Sequence, residues 1–168
     1  MVKEYFTEAV VLDKESLGEL DARVSLYTQI AGKIFAKVKS ARKINSKLSP
    51  HLEPLNLVKA RIVQKNGLQI ADVVKFGKLG AENIRILKLI SGTVLEGAPD
   101  YHLWSLVKSG TILPEQILKV LGFDPEFSLC VKCQGEKPEF FIFNDAVYIC
   151  RKCFLGKPDK KEYLELNR

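Results

Sequence analysis

Two Cys-x-x-Cys pairs near the end of the 168-residue chain restrict its fold more than any other feature of the sequence. The four residues are Cys130, Cys133, Cys150 and Cys153. The 16 residues between the pairs give a spacing typical of a four-cysteine zinc site. In that interval, "EFFIF" and "AVYIC" predict two strands joined at Asn144 and Asp145, a hairpin that would bring the pairs together. We therefore expect a zinc-binding element, a zinc ribbon, over residues 127–155.

A zinc ion held by four cysteines has no open coordination position for an activated water, so we expect one structural Zn²⁺ per chain. Two disulfides are the structural alternative, and they suit a cytosolic chain poorly. A redox-active Cys-x-x-Cys of the thioredoxin type would need a neighbouring βαβ unit, and the sequence shows no such pattern.

Residues 1–80 alternate between apolar and polar positions in short runs separated by turn residues, which predicts five strands. Asn66 and Gly67 indicate a hairpin between the last two. The residues expected on the inner face are Val24, Leu26, Ile30, Ile34, Ala36, Val38, Val58, Ala60 and Ile62. Five short antiparallel strands favour a small barrel of the oligonucleotide/oligosaccharide-binding (OB) type. An SH3-like barrel is the alternative.

The excess of positive charge in the chain is confined to residues 31–80, which hold 11 basic and 2 acidic side chains. A segment of one sign indicates an anionic partner, and the absence of an amphipathic helix favours nucleic acid over a membrane surface. Basic residues would follow the phosphates, while Tyr27 or Phe35 would stack on bases or, alternatively, pack as cross-strand partners. The candidate contacts are Arg23, Tyr27, Lys33, Phe35, Lys37, Lys39, Arg42, Lys43, Lys47, Lys59 and Arg61.

From about residue 81 the apolar positions follow a helical period, and three short helices are predicted before the first cysteine. Asp100 and Gly110 are the expected N-cap and stop of the second helix. We expect Trp104 in the core and His102 at a surface or core edge. The predicted fold class is α+β, with an OB-type domain over residues 1–80 and a helical domain with the zinc element over 81–168.

The segments "YFTEAVVLDKESLGELDARVSLYTQIAGKI" and "ARKINSKLSPHLEPLNLV" together resemble the N-terminal OB domain of the RecO family of bacterial recombination mediators. The resemblance covers roughly residues 3–75, with Gly18, Glu19, Asp21, Thr28 and Gly32 in the expected order. The basic loop of that family usually reads Ala-Lys-Gly-Ala-Arg. Here Val38, Lys39 and Ser40 stand around the place of the glycine, and a residue other than glycine adopts a positive φ only at a cost.

The resemblance implies a mediator of DNA repair and homologous recombination that binds single-stranded DNA and anneals strands or helps load a recombinase. Duplex DNA is left open as a second ligand. The resemblance also implies a RecR-like partner and a bacterial, cytoplasmic protein associated with the nucleoid. In this family the helical domain docks the tail of single-stranded-DNA-binding protein. Only about 45 residues separate the barrel from the first cysteine, so we expect a shortened helical domain and weak or missing binding of that tail.

No enzyme motif is present in the sequence: it has no GxxxxGK[ST] phosphate loop, no HExxH, no GxSxG and no cluster of carboxylates suited to two-metal catalysis. We therefore expect a protein without catalytic activity. No run of 18 apolar residues and no cleavable leader is found, which predicts a cytoplasmic chain. An RNA-binding module and a protein-docking adaptor are the alternatives, and a nuclease ranks last.

Overall fold

The computed structural model describes residues 2–135, 137–155 and 162–166, and the chain divides into two compact units, residues 1–110 and 111–168. The first unit contains five strands followed by two helices. Its elements are β1 (Lys3–Leu17), β2 (Asp21–Thr28), β3 (Gly32–Val38), β4 (Asn56–Gln64), β5 (Leu68–Lys78), α1 (Ile84–Thr93) and α2 (Tyr101–Ser109). A 3₁₀ helix, Ser49–Leu52, lies in the loop between β3 and β4.

The five strands close into a barrel in the order β1-β2-β3-β5-β4, with β4 also paired to β1. All pairings are antiparallel except that of β3 with β5, where Lys37 lies opposite Gln69. The predicted five-stranded barrel is therefore confirmed. Its predicted inner residues form the core, except for Ile30, which is 53% exposed because β2 ends at Thr28, before the alternation reaches it.

Helices α1 and α2 belong to the same compact unit as the barrel, whereas the change of sequence pattern predicted a domain boundary at residue 80. Two barrel side chains explain the difference. The hydroxyl of Tyr27 donates to the carbonyl of Asp100 at 3.2 Å and accepts from its N–H at 3.0 Å. The ammonium of Lys33 donates to the carbonyl of Ser91 at 2.8 Å. The N-cap residue of α2 is thus bonded to β2, and the last turn of α1 is bonded to β3.

The predicted caps of α2 are confirmed, because the carboxylate of Asp100 accepts from the N–H of Leu103 and Gly110 ends the helix with φ of 76°. Trp104 lies in the core and His102 is exposed, as expected. No helix among the described residues is long and apolar enough to cross a membrane.

The second unit is built around a small antiparallel sheet. Its elements are α3 (Pro114–Val120), β6 (Phe140–Ile142), β7 (Val147–Ile149), α4 (Arg151–Phe154) and β8 (Tyr163–Glu165), with sheet order β7-β6-β8. The predicted hairpin is confirmed, because β6 pairs with β7 around a turn at residues 143–146. Strand β8 was not predicted, since its three residues lie in a charged stretch that is too short to show a period.

Candidate nucleic-acid interface and metal centre

The outer side of β2 and β3, together with the loop after β3, forms a surface that we call the β2–β3 basic face. Its residues are Arg23, Phe35, Lys37, Lys39, Arg42, Lys43 and Lys47. The strand register places Arg23 opposite Lys37 and Ser25 opposite Phe35. Lys39, Lys43 and Lys47 are exposed and have no carboxylate within ion-pair distance in the described part of the chain. These three loop lysines therefore present positive charge that is not taken up in salt bridges with the described residues.

The start of this basic loop is tied to the turn between β1 and β2. Asp21 accepts from the ammonium of Lys37 at 2.7 Å and from the N–H of Ser40 at 2.9 Å. The hydrogen bond from Lys37, and to a smaller extent that from Ser40, holds the pKa of Asp21 below its usual value. Arg42 donates its backbone N–H to the carbonyl of Leu20 at 3.0 Å and its guanidinium to the carbonyl of Gly18 at 2.8 Å. The loop thus begins in a defined conformation.

Asp21 was not predicted to have a role on this surface. The signal that would have revealed one is a single acid that directly follows a turn and lies beside a basic strand. Ser40 confirms the expected backbone cost in this loop, because its φ is 54°, the left-handed region that residues other than glycine seldom occupy.

A stacked pair of side chains stands beside the loop. The guanidinium carbon of Arg23 lies 4.2 Å from the centroid of the Phe35 ring, which is within the range of a cation–π contact. Arg23 also lies 3.8 Å from the carboxylate of Glu15. Phe35 is half-buried. An unpaired base can stack on either a guanidinium plane or an aromatic ring, so the pair offers a stacking platform.

Two predicted contact residues are buried, and the prediction is wrong for both. Tyr27 has 0% and Lys33 has 9% of its surface exposed. Both side chains point away from the barrel interior, as the alternation predicts, but they are covered by the segment that bears Ser91 and Asp100. Alternation along a strand gives the side of the sheet that a residue occupies and does not reveal what packs on that side.

Lys59 and Arg61 lie on a different wall of the barrel, which we call the β1–β4 face. In the strand order, β4 is separated from β2 and β3 by β1 on one side and by β5 on the other. Lys59 lies 4.0 Å from Glu8, which also pairs with Lys108 at 2.6 Å. Arg61 lies 3.5 Å from Glu4. The single basic face expected from the sequence is therefore divided into two.

The four cysteines converge on one point, as the spacing predicts. Their sulfur atoms all lie within 4.8 Å of one another, and those of Cys133 and Cys150 are 3.8 Å apart. A tetrahedral zinc ion with Zn–S bonds of about 2.3 Å requires sulfur atoms separated by about 3.8 Å. The arrangement of these residues therefore fits zinc.

Two local turns aim the thiols at this point. The N–H of Gln134 donates to the carbonyl of Cys130 at 2.9 Å, and the N–H of Phe154 donates to that of Cys150 at 3.0 Å. Burial raises the pKa of the Cys130 thiol, but hydrogen bonds from the backbone of Cys150 and Cys133 outweigh it and lower this pKa to about 6. Backbone donors that stabilise a thiolate also favour a metal ligand.

The barrel and its basic loop match a known family. Residues 1–77 match the family model described as recombination protein O N terminal. The chain is 28% identical to the DNA repair protein RecO of Thermodesulfovibrio yellowstonii over 174 residues, which cover 89% of this chain and 70% of that protein. The RecO of Bacillus subtilis is 27% identical over 90% of this chain and 69% of its own length. The RecO of Syntrophobacter fumaroxidans is 35% identical over 61% of this chain and 45% of its own length.

Proposed function

Because the chain belongs to the RecO family, we propose that it is a mediator of DNA repair and homologous recombination that binds single-stranded DNA. It would promote strand annealing or recombinase loading without catalysis. The observation that carries the proposal is the β2–β3 basic face, where loop cations that form no salt bridge with any described residue accompany the cation–aromatic stack of Arg23 and Phe35. Because a mediator of this kind acts on chromosomal DNA, we also propose a cytoplasmic, nucleoid-associated location.

Binding would take place on the outer side of an OB-type barrel, whose strands and loops commonly form the ligand surface. The loop residues Arg42, Lys43 and Lys47 would follow the phosphates, while the Arg23–Phe35 pair would receive an unstacked base. Neither contact reads a base edge, so affinity should depend little on sequence. Weak sequence preference suits a mediator that must act wherever a single strand is exposed.

A side-by-side titration with single-stranded DNA and single-stranded RNA of equal length tests this function. We expect tighter binding of DNA. Tighter binding of RNA would instead support an RNA-binding module, which recognises single strands with the same stacking and charge. If neither strand binds, the mediator function fails and a protein-docking adaptor takes its place. We include a RecR-like partner in the proposal on the basis of family membership alone.

We also propose that one structural Zn²⁺ per chain is held by the four cysteines. The ion would join the two Cys-x-x-Cys turns, so its removal should loosen the second unit. Elemental analysis of the purified protein should give one zinc per chain, and Cys150→Ser should lose the metal and lower the melting temperature. A zinc-free native protein with Cys130 to Cys153 cross-linked would reject the site.

A further inference from the structure

We propose that Asp21 positions the β2–β3 basic face through Ser40, although its negative charge by itself would repel nucleic acid. The inference rests on the proposed function, since it concerns the same surface. It assigns a role to an acid that lies among the cations of a predicted DNA-binding surface. Two features of the structure support it: the pair of groups that donate to the carboxylate, and the turns that begin at Ser40.

Asp21 is placed by the turn that connects β1 and β2. Gly18 begins that turn with φ of 66°, and β2 starts at Asp21. One carboxylate oxygen accepts from the ammonium of Lys37 near the end of β3, and the other accepts from the N–H of Ser40 in the loop. A single side chain thereby connects the first hairpin to both the end of β3 and the start of the loop.

The hydrogen bond to Ser40 stabilises an unfavourable backbone conformation. In the left-handed region the Cβ of a residue other than glycine crowds the following carbonyl oxygen, so the right-handed region is preferred. Ser40 has φ of 54°, and in this conformation its N–H donates to Asp21 at 2.9 Å. Without the carboxylate, an exposed loop would lose the main contact that compensates for this cost.

The rest of the basic loop is built on Ser40. The N–H of Lys43 donates to the carbonyl of Ser40 at 3.2 Å, and the N–H of Ser46 donates to that of Lys43 at 2.9 Å. Arg42 lies inside the first of these turns. Arg42 is also held by its own bonds to the turn between β1 and β2, whereas Lys43 is held through Ser40. If Ser40 changes conformation, Lys43 changes direction relative to Arg42, and their simultaneous contact with one phosphate backbone is lost.

If Asp21 only repels nucleic acid, its removal should strengthen DNA binding, whereas if it positions the loop, its removal should weaken DNA binding. A matched pair of variants separates these two effects. Asp21→Asn and Asp21→Ala both remove one negative charge. The side-chain oxygen of asparagine can still accept from the N–H of Ser40, whereas alanine cannot. We expect Asp21→Asn to bind oligo-dT at least as tightly as the wild type. Asp21→Ala should bind about 5- to 10-fold more weakly than Asp21→Asn, the effect of one lost hydrogen bond.

Glu15 provides the control, because Glu15→Gln and Glu15→Ala remove the same charge from the neighbouring strand without touching the loop. These two variants should bind alike. A double variant tests whether Asp21 acts through the backbone of Ser40. It also shows whether weak binding by Asp21→Ala results merely from poor folding. Glycine adopts a positive φ at little cost, so Asp21→Ala combined with Ser40→Gly should regain the affinity of Asp21→Asn.

Equal binding by Asp21→Asn and Asp21→Ala would overturn the inference and leave Asp21 as a repelling charge. Failure of Ser40→Gly to rescue Asp21→Ala would overturn it as well. A wild-type protein that does not bind oligo-dT would contradict the proposed function instead, so the two failures are distinguishable.

Discussion

The β2–β3 basic face and the β1–β4 face carry the same kinds of cation but have different neighbours. On the β1–β4 face, Lys59 and Arg61 each lie beside a glutamate of β1. On the β2–β3 basic face, the loop residues Lys39, Lys43 and Lys47 have no such partner in the described part of the chain. The difference shows that a count of basic residues is a poor guide to phosphate binding unless the nearby acids are counted as well.

Exposed ion pairs such as those of the β1–β4 face contribute only about 0–1 kcal/mol each to stability. Their effect on a ligand is larger, because a carboxylate within about 4 Å of the cation cancels most of its attraction for a phosphate placed farther away. We therefore expect the two faces to differ strongly in their contribution to DNA binding and little in their contribution to folding.

The largest expected effect compares two double variants, Arg42→Ala with Lys43→Ala and Lys59→Ala with Arg61→Ala. The first of these variants loses two phosphate contacts, and each contact contributes about 0.7 to the slope of log K against log[salt]. The loss therefore corresponds to about 20-fold weaker binding at 0.1 M salt. The loop variant should show this loss for every sequence tested, with a slope flatter by about 1.4. Fluorescence anisotropy with labelled oligonucleotides measures both quantities.

The β1–β4 variant serves as the matched control, because it removes the same number of charges from the same barrel. It should change the affinity by less than about twofold. If it weakened binding as much as the loop variant, the two faces would act as one surface and the comparison would fail.

A smaller effect is expected from two lysines of one strand, Lys33 and Lys37. Lys33 is buried against the carbonyl of Ser91, in the last turns of α1, where a cation is stabilised by the helix dipole. Lys33→Met should lower the free energy of unfolding by about 1.5 kcal/mol, the value of a hydrogen bond to a charged group, and leave DNA affinity unchanged. Lys37→Met should change the free energy of unfolding and the DNA affinity only slightly, because Lys37 is exposed and already paired with Asp21 at 2.7 Å. Urea unfolding and oligo-dT titration of both variants check this, and weaker DNA binding by Lys33→Met alone would refute it.

The smallest effect concerns two aromatic rings, each with a cation nearby. Phe35 lies under Arg23 on the β2–β3 basic face, while Phe76 on β5 has the ammonium of Lys59 at 5.9 Å. Phe35→Ala should weaken DNA binding by about 1 kcal/mol, the lower end for a lost stack, and leave the salt slope unchanged. Phe76→Ala should have no effect on affinity. Equal losses in the two variants would show that stacking is not specific to the β2–β3 basic face.

Features of the fold that depend on local sequence could be predicted, and features that depend on distant neighbours could not. Alternation predicted the five strands, and the cysteine spacing predicted the sulfur cluster, because both patterns are complete within a short stretch of chain. The burial of Tyr27 depends on Asp100, 73 residues later in the chain, and that of Lys33 depends on Ser91, 58 residues later. The separation of Lys59 from Lys37 results from the order of strands around the barrel, which alternation does not encode.

The salt dependence of wild-type binding to oligo-dT tests the central claim most directly. The cations of the β2–β3 basic face are Arg23, Lys37, Lys39, Arg42, Lys43 and Lys47. If about four or five of them contact phosphates at once, log K should fall against log[salt] with a slope of roughly −3 to −3.5. A slope near zero would contradict the claim that this surface binds a nucleic-acid backbone.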